Sequence, residues 1–319
     1  ADLYQLNDRC KKNPGHKNFI PVDRFCIEDL PEDYRDKNVV DFIRLVSDLT
    51  VRVTVNYVSD KRPELAPGGI RNYPGYNVRG KRRITVGTGI VAHVSNSANE
   101  TCKCKDCINS TTPETNFAKI FIRTATHVVF DKLEAEHTTC NLFFDRGSRP
   151  NECSGVVALT GNFDAVFNNI DKDTCQISYM THHLELADRL RQMLSQVAIL
   201  GKTVFAKIPS HYKFKLKPNA MDRYPLMCIV SHPHGCSKQI SLGRWTSADK
   251  LNNHILSYHY TAATCPGSSG AHIQVLHRFA NQLDEPMSEE AHCGASVVKP
   301  GINYCNTCVG QYIFSTRLC

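Results

Sequence analysis

The sequence has no run of about 18 apolar residues, so it offers no membrane-spanning helix, and a membrane is not expected among its partners. No internal repeat or low-complexity tract is present, and the hydrophobic share of 41% argues against a largely disordered chain. The excess of basic residues is small, 38 Lys+Arg against 31 Asp+Glu. Apart from Arg79-Gly80-Lys81-Arg82-Arg83 the charge is spread out, and no aromatic residues interleave with that run, which argues against nucleic acid as a partner. His182-His183 and His232-x-His234 lack the i, i+4 spacing of a helical metallopeptidase motif, so no metal or other cofactor is expected. There is also no initiating methionine and no basic-then-apolar leader before Ala1-Asp2-Leu3, as expected if a signal peptide has been removed.

What is present fits a globular protein of two lobes: 319 residues, 41% hydrophobic and 22% charged. Fifteen cysteines, scattered from Cys10 to Cys319, point to an oxidising compartment and to disulfides. An odd number leaves one cysteine free or paired with another chain, and Cys319 is the natural one for a disulfide-linked oligomer. Two glycosylation sequons, at Asn99 and Asn109, lie in one polar stretch and fit a secreted, extracellular glycoprotein. Cys102-x-Cys104-x-x-Cys107 sits in the same stretch. A zinc site is one reading; disulfides are preferred, because the only similar arm, Cys305-x-x-Cys308, lies far away in sequence.

Along the chain, residues 1–50 form an N-terminal extension whose Val39–Leu49 segment has helical periodicity. From Val51 the period becomes two, with Val51, Val53 and Val55 on one face and Arg52 and Thr54 on the other, a half-buried strand. Short strands follow at Ile84–Val94, Lys119–Thr124, Thr174–Tyr179, Met227–Val230 and His254–Tyr260, which argues for an all-β protein of barrels or sandwiches. Leu184–Leu194 is helical by its spacing and is expected to join two lobes, 51–197 and 198–319, the first carrying a cysteine-rich insertion at 95–118.

The chemistry is concentrated in Thr264-Cys265-Pro266-Gly267-Ser268-Ser269-Gly270. A serine nucleophile needs a sharp turn whose backbone N–H groups face the oxygen that becomes negative, and glycines permit such a turn. Upstream, Lys119–Thr124 runs into Thr124-Ala125-Thr126-His127, and Asp173 opens a strand with Cys175, Ile177 and Tyr179 alternating on one face. Asp171 competes with Asp173 for the role of carboxylate. The order His, Asp, Ser is that of the chymotrypsin fold among the unrelated folds that use this trio.

These segments resemble the motifs of trypsin- and chymotrypsin-like serine peptidases. Gly87-Thr88-Gly89-Ile90-Val91 is similar to the strand leading to the histidine there. Ser231-His232-Pro233-His234-Gly235-Cys236-Ser237-Lys238 and His292-Cys293-Gly294 resemble segments of the bacterial-type branch. The resemblance implies two antiparallel six-stranded barrels, a triad of His127, Asp173 and Ser269, and an oxyanion hole from the N–H groups of Gly267 and Ser269. It implies an endopeptidase acting on protein or peptide substrates, with Ala263, Thr264, His292 and Gly294 at the specificity pocket. Thr264 with His292 resembles the pair that glutamyl endopeptidases use for an acidic side chain, a protonated His292 strengthening the bond. The alternative is a catalytically silent binding protein on the same fold; His272 stands where a small residue or proline is usual after Ser-Gly.

Overall fold

The computed structural model describes residues 3–69, 71–97, 100–207, 225–252, 254–276, 290–296 and 298–308. The strands are β1 (Ile20–Pro21), β2 (Thr50–Val55), β3 (Thr85–Ser97), β4 (Phe117–Thr124), β5 (Thr138–Leu142), β6 (Val157–Thr160) and β7 (Phe163–Asn169). They continue with β8 (Thr174–Thr181), β9 (Leu226–Ser231), β10 (Gln239–Lys250), β11 (Ile255–Tyr260), β12 (Ile273–Leu276), β13 (His292–Ala295) and β14 (Asn303–Cys308). Among the described residues three α-helices accompany them: α1 (Lys37–Leu49), α2 (Lys132–Glu136) and α3 (Leu184–Lys207).

The strands form two antiparallel sheets, one for each lobe. The first runs β6-β5-β2-β3-β4-β8-β7 and the second β12-β9-β10-β11-β14-β13, with β1 added on β10. Each sheet therefore has seven strands rather than six. In the second the extra strand comes from the N-terminal extension, where Ile20 pairs with Ile240 and Pro21 with Gln239.

The extension is part of the core. Helix α1 is capped by Asp36, whose carboxylate accepts the Asn38 N–H, and buries Val39, Val40, Phe42, Ile43, Val46 and Leu49. Its Phe42 ring meets Phe205 of α3 edge-on at 5.7 Å. Helix α3 outlasts the predicted segment by 13 residues, ending at Lys207. Val197, Gly201, Val204 and Phe205 prolong its buried stripe and give it α1 to pack on. One continuous core joins these helices to the first sheet and to Leu226, Cys228, Val230, Ile240 and Leu276 of the second.

Strand β2 is buried on both faces, not one. Arg52 on its polar face is only 5% exposed, because the second lobe covers it. Its Nε donates to Gly235 O at 2.7 Å and Nη1 to Thr54 Oγ1, which links the lobes through a satisfied guanidinium.

Among the described residues no disulfide is formed, contrary to the expectation from the cysteine count. Cys140, Cys175 and Cys228 lie inside the sheets as small apolar groups, and burial pushes the Cys175 and Cys228 thiols up to about 12. Cys319 lies outside the described residues.

Candidate active site

His127 and Asp173 meet at the ends of two paired strands. Strands β4 and β8 are antiparallel neighbours, with Thr124 opposite Cys175. The end of β4 therefore delivers His127 beside Asp173, the residue just before β8. The imidazole Nδ1 lies 2.6 Å from Asp173 Oδ2, and the His127 backbone N–H donates to Oδ1 at 2.9 Å. Asp173 has φ 57°, in the left-handed region where aspartate is among the few tolerated side chains. That conformation is held by Thr126, whose N–H donates to Asp173 O and whose hydroxyl donates to Thr174 O at 2.8 Å. Asp171 is elsewhere, its carbonyl accepting from Asn306 Nδ2.

The imidazole and carboxylate are each about one-sixth exposed, at 15% and 16%, so the pair is shielded yet reachable. The buried thiol of Cys293 lies against Asp173, and burial, then the Asp173 charge, raises that thiol far above its ordinary range. Nothing in the sequence pattern marked Cys293 as a neighbour of the carboxylate, because the contact crosses between lobes.

The Gly267–Gly270 turn faces this pair across the lobe boundary. Both glycines have positive φ, 97° and 82°. A Cβ on Gly267 would stand 2.4 Å from His232 O, and one on Gly270 2.3 Å from both Thr88 O and Thr124 Oγ1, so only glycine fits at either position. Ser268 is wholly buried, its hydroxyl shared with Ser231 Oγ at 3.0 Å, whereas Ser269 is partly open. The Ser269 carbonyl accepts the Thr88 N–H at 2.8 Å, which fixes the serine on the edge of the first lobe. Among the described residues no hydrogen bond joins the Ser269 hydroxyl to the His127 imidazole.

Thr88 holds the turn. Its hydroxyl donates to Gly267 O at 2.7 Å and accepts the His232 N–H, while its carbonyl accepts the Thr124 hydroxyl. With the Gly267 carbonyl drawn inward, the N–H groups of Gly267 and Ser269 have no acceptor among the described residues. The His232–Lys238 segment lies beneath: His234 N–H donates to Pro266 O at 2.6 Å, and the buried Lys238 ammonium donates to Ser47 O.

At the pocket, Thr264 and Ala263 are buried and His292 is 3% exposed; Gly294, in β13, lies beside the Tyr304 ring. The Thr264 hydroxyl donates to Asn303 Oδ1 at 2.7 Å and accepts from Lys12 Nζ at 2.8 Å; Lys12 also donates to Asn303 Oδ1 at 2.9 Å. Lys12 is exposed as a residue, yet its ammonium sits between two acceptors, and burial lowers its pKa from the ordinary lysine value. His292 Nδ1 meets the Tyr260 hydroxyl at 2.6 Å. Burial, then the charges of Lys12 and His127, holds the His292 pKa well below its ordinary value. The ring is therefore neutral near pH 7, without the charge that would strengthen a bond to a carboxylate. His272, also buried, bridges Ala291 through its backbone.

Lys12 and Asn303 escape sequence reasoning, one for lying some 250 positions from the motif it serves and the other for lying in an unremarkable strand. The extension wraps the turn as well: Asn13 Nδ2 donates to Thr264 O at 2.9 Å, and Cys10 Sγ is 3.5 Å from Cys265 Sγ. Of the two sequon residues, Asn109 lies exposed in a turn and Asn99 lies outside the described residues.

No protein-family model matches the sequence, and no curated protein matches it. Serine proteases are among the solved structures that resemble the chain. The active form of the Rv3671c protease from M. tuberculosis is 13% identical with a TM-score of 0.39, over 85% of this chain and 81% of that one. The HtrA-type protease AlgW with tripeptide is 9% identical with a TM-score of 0.39, over 83% and 58%. A serine endoprotease from Yersinia pestis is 12% identical with a TM-score of 0.39, over 86% and 62%. The matched part of the last two is thus about three fifths of their length.

Proposed function

We propose that the chain is a serine endopeptidase in which Ser269 is the nucleophile, His127 the base and Asp173 the group that orients it. The observation that carries the reading is the Nδ1–Oδ2 contact of 2.6 Å, held beside a Gly-x-Ser-Gly turn that only glycines at both ends allow. A carboxylate on Nδ1 keeps Nε2 free as the ring atom that accepts the serine proton and later returns it to the leaving amine. The peptide carbonyl carbon is attacked by Ser269 Oγ, and the developing oxyanion is met by the N–H groups of Gly267 and Ser269. Water then hydrolyses the acyl-enzyme, and no cofactor takes part.

Preference for an acidic residue before the cleaved bond belongs to the same proposal, and the donor that supports it is Lys12, beside His292. Thr264 spends its proton on Asn303, so its hydroxyl acts as an acceptor. The Lys12 ammonium gives two N–H groups to Thr264 and Asn303, which leaves its third for a substrate carboxylate. The Tyr260 hydroxyl engages His292 Nδ1 and also donates to Tyr304 O at 3.3 Å, so Nε2 is the ring atom left for a substrate.

A fluorophosphonate probe tests the chemistry. Labelling of the intact protein that is abolished in Ser269→Ala and in His127→Ala is the expected result. The unjoined Ser269 and His127 side chains favour the second reading, a catalytically silent protein, and a fresh, folded sample that takes no label establishes that one instead. Secretion and N-glycosylation are tested separately by mass loss on enzymatic deglycosylation of protein from a eukaryotic host.

A further inference from the structure

The loop between β3 and β4 brings three cysteines onto one histidine. Cys102, Cys104 and Cys107 are buried although Lys103, Lys105 and Asp106 between them are exposed. His182, the first residue after β8, reaches them from the other side. Its Nε2 lies 3.2 Å from Cys102 Sγ, 3.7 Å from Cys104 Sγ and 3.5 Å from Cys107 Sγ. The four ligand atoms all lie within 4.8 Å of one another.

One ring nitrogen has a single proton or a single lone pair, so it cannot bond three thiols at once. Three sulfurs converging on it are the arrangement expected of four ligands around a common centre. Zinc bonds of about 2.3 Å to sulfur and about 2.0–2.1 Å to nitrogen, at the tetrahedral angle, put sulfur and nitrogen about 3.6 Å apart. The observed distances bracket that value. Backbone groups support the sulfurs: the Cys104 N–H donates to Cys102 Sγ and the Glu114 N–H to Cys107 Sγ, each at 3.4 Å.

We propose that Cys102, Cys104, Cys107 and His182 bind one zinc ion. Four protein ligands close the coordination sphere, so the ion is structural and has no position for water or substrate. Three thiols bind as thiolates, and each releases one proton to solvent on binding, with no change of oxidation state. The complex carries a net charge of −1, which Lys103 and Lys105 offset. The loop has little else to fold around: Phe117 and Met180 are the apolar residues packed on the cluster.

Strands β4 and β8 give the site its consequence. They pair from Ala118 opposite Thr181 to Thr124 opposite Cys175. His127 and Asp173 stand at one end of the pair; the cysteines and His182 stand at the other, about 25 Å away at the usual rise per residue. The ion would tie the loop entering β4 to the residue leaving β8, clamping the two strands that align the imidazole with its carboxylate.

The experiment uses the full chain without a histidine tag, purified under reducing conditions. Metal analysis by mass spectrometry is expected to show zinc, and exchange with cobalt is expected to give the intense visible bands of a tetrahedral site with three thiolates. Cys107→Ser and His182→Ala should each lose one equivalent of metal. Cys10→Ser should keep that equivalent and its spectrum, which separates this site from the group of Cys10, His16, His234 and Cys265, where only two thiols could contribute. Should the variants not fold, titration of the wild-type protein with a mercurial reads the same property, three thiols blocked for the zinc released. The proposal is overturned if the intact protein holds no zinc and takes up no cobalt, if Cys107→Ser and His182→Ala retain full metal content, or if peptide mapping of thiol-blocked protein finds any of the three cysteines in a disulfide.

Discussion

At the scale of single residues, Thr88 and Lys12 make the sharpest predictions. Thr88→Val removes the donor to Gly267 O and the acceptor of the His232 N–H, both buried. Each buried group left unsatisfied costs about 1–3 kcal/mol, so both stability and labelling by a fluorophosphonate should fall, and Thr88→Ser should restore them. Thermal melts beside labelling rates check this. Lys12→Met removes a charged donor worth about 1.5–3 kcal/mol, a loss of about tenfold to a hundredfold in kcat/KM for peptides with glutamate before the cleaved bond. Peptides with leucine there should be cleaved as before; an equal loss on both would assign Lys12 to the architecture of the turn.

Among elements, the link between α2 and the loop after β2 supports the histidine from behind. Arg62 and Glu134 form a buried two-pronged pair, Nε to Oε1 and Nη2 to Oε2, both at 2.7 Å. Arg62 Nη1 also donates to His127 O at 3.0 Å, and Glu134 accepts the N–H groups of Ser59 and Phe130. Glu134→Gln leaves the guanidinium buried without its counter-charge, a loss of about 3–5 kcal/mol measurable by urea denaturation. A loss below 1 kcal/mol would mean that solvent reaches the pair.

For the whole molecule, buried neutral histidines set the response to acid. Burial, then the charge of Arg123, lowers the His272 pKa to about 3, and His292 lies well below its ordinary value. In the unfolded chain both titrate near 6.5. Below that pH the unfolded state binds protons that the folded state refuses, so the stability present above pH 6.5 is lost as pH falls towards 3. The slope is about 1.4 kcal/mol per pH unit for each such histidine. His272→Gln should flatten the pH dependence of unfolding by about that amount between pH 6 and 4, and an unchanged slope would show that His272 takes up its proton without unfolding.

Local pattern was enough to locate the strands that hold His127 and Asp173, the helices beginning near Val39 and Leu184, and the Gly267–Gly270 turn. A period of two or 3.6 and the need for glycine at positive φ are properties of neighbouring residues, so a linear reading reveals them. Pairing across the chain was not legible. The capture of Lys12 by Thr264 and Asn303, the lid of the second lobe over Arg52, the neutral state of His292 and the gathering of Cys102, Cys104 and Cys107 on His182 each depend on which surfaces fold onto one another. Burial and long-range contact set those charges and partners, and both exist only once the sheets have closed.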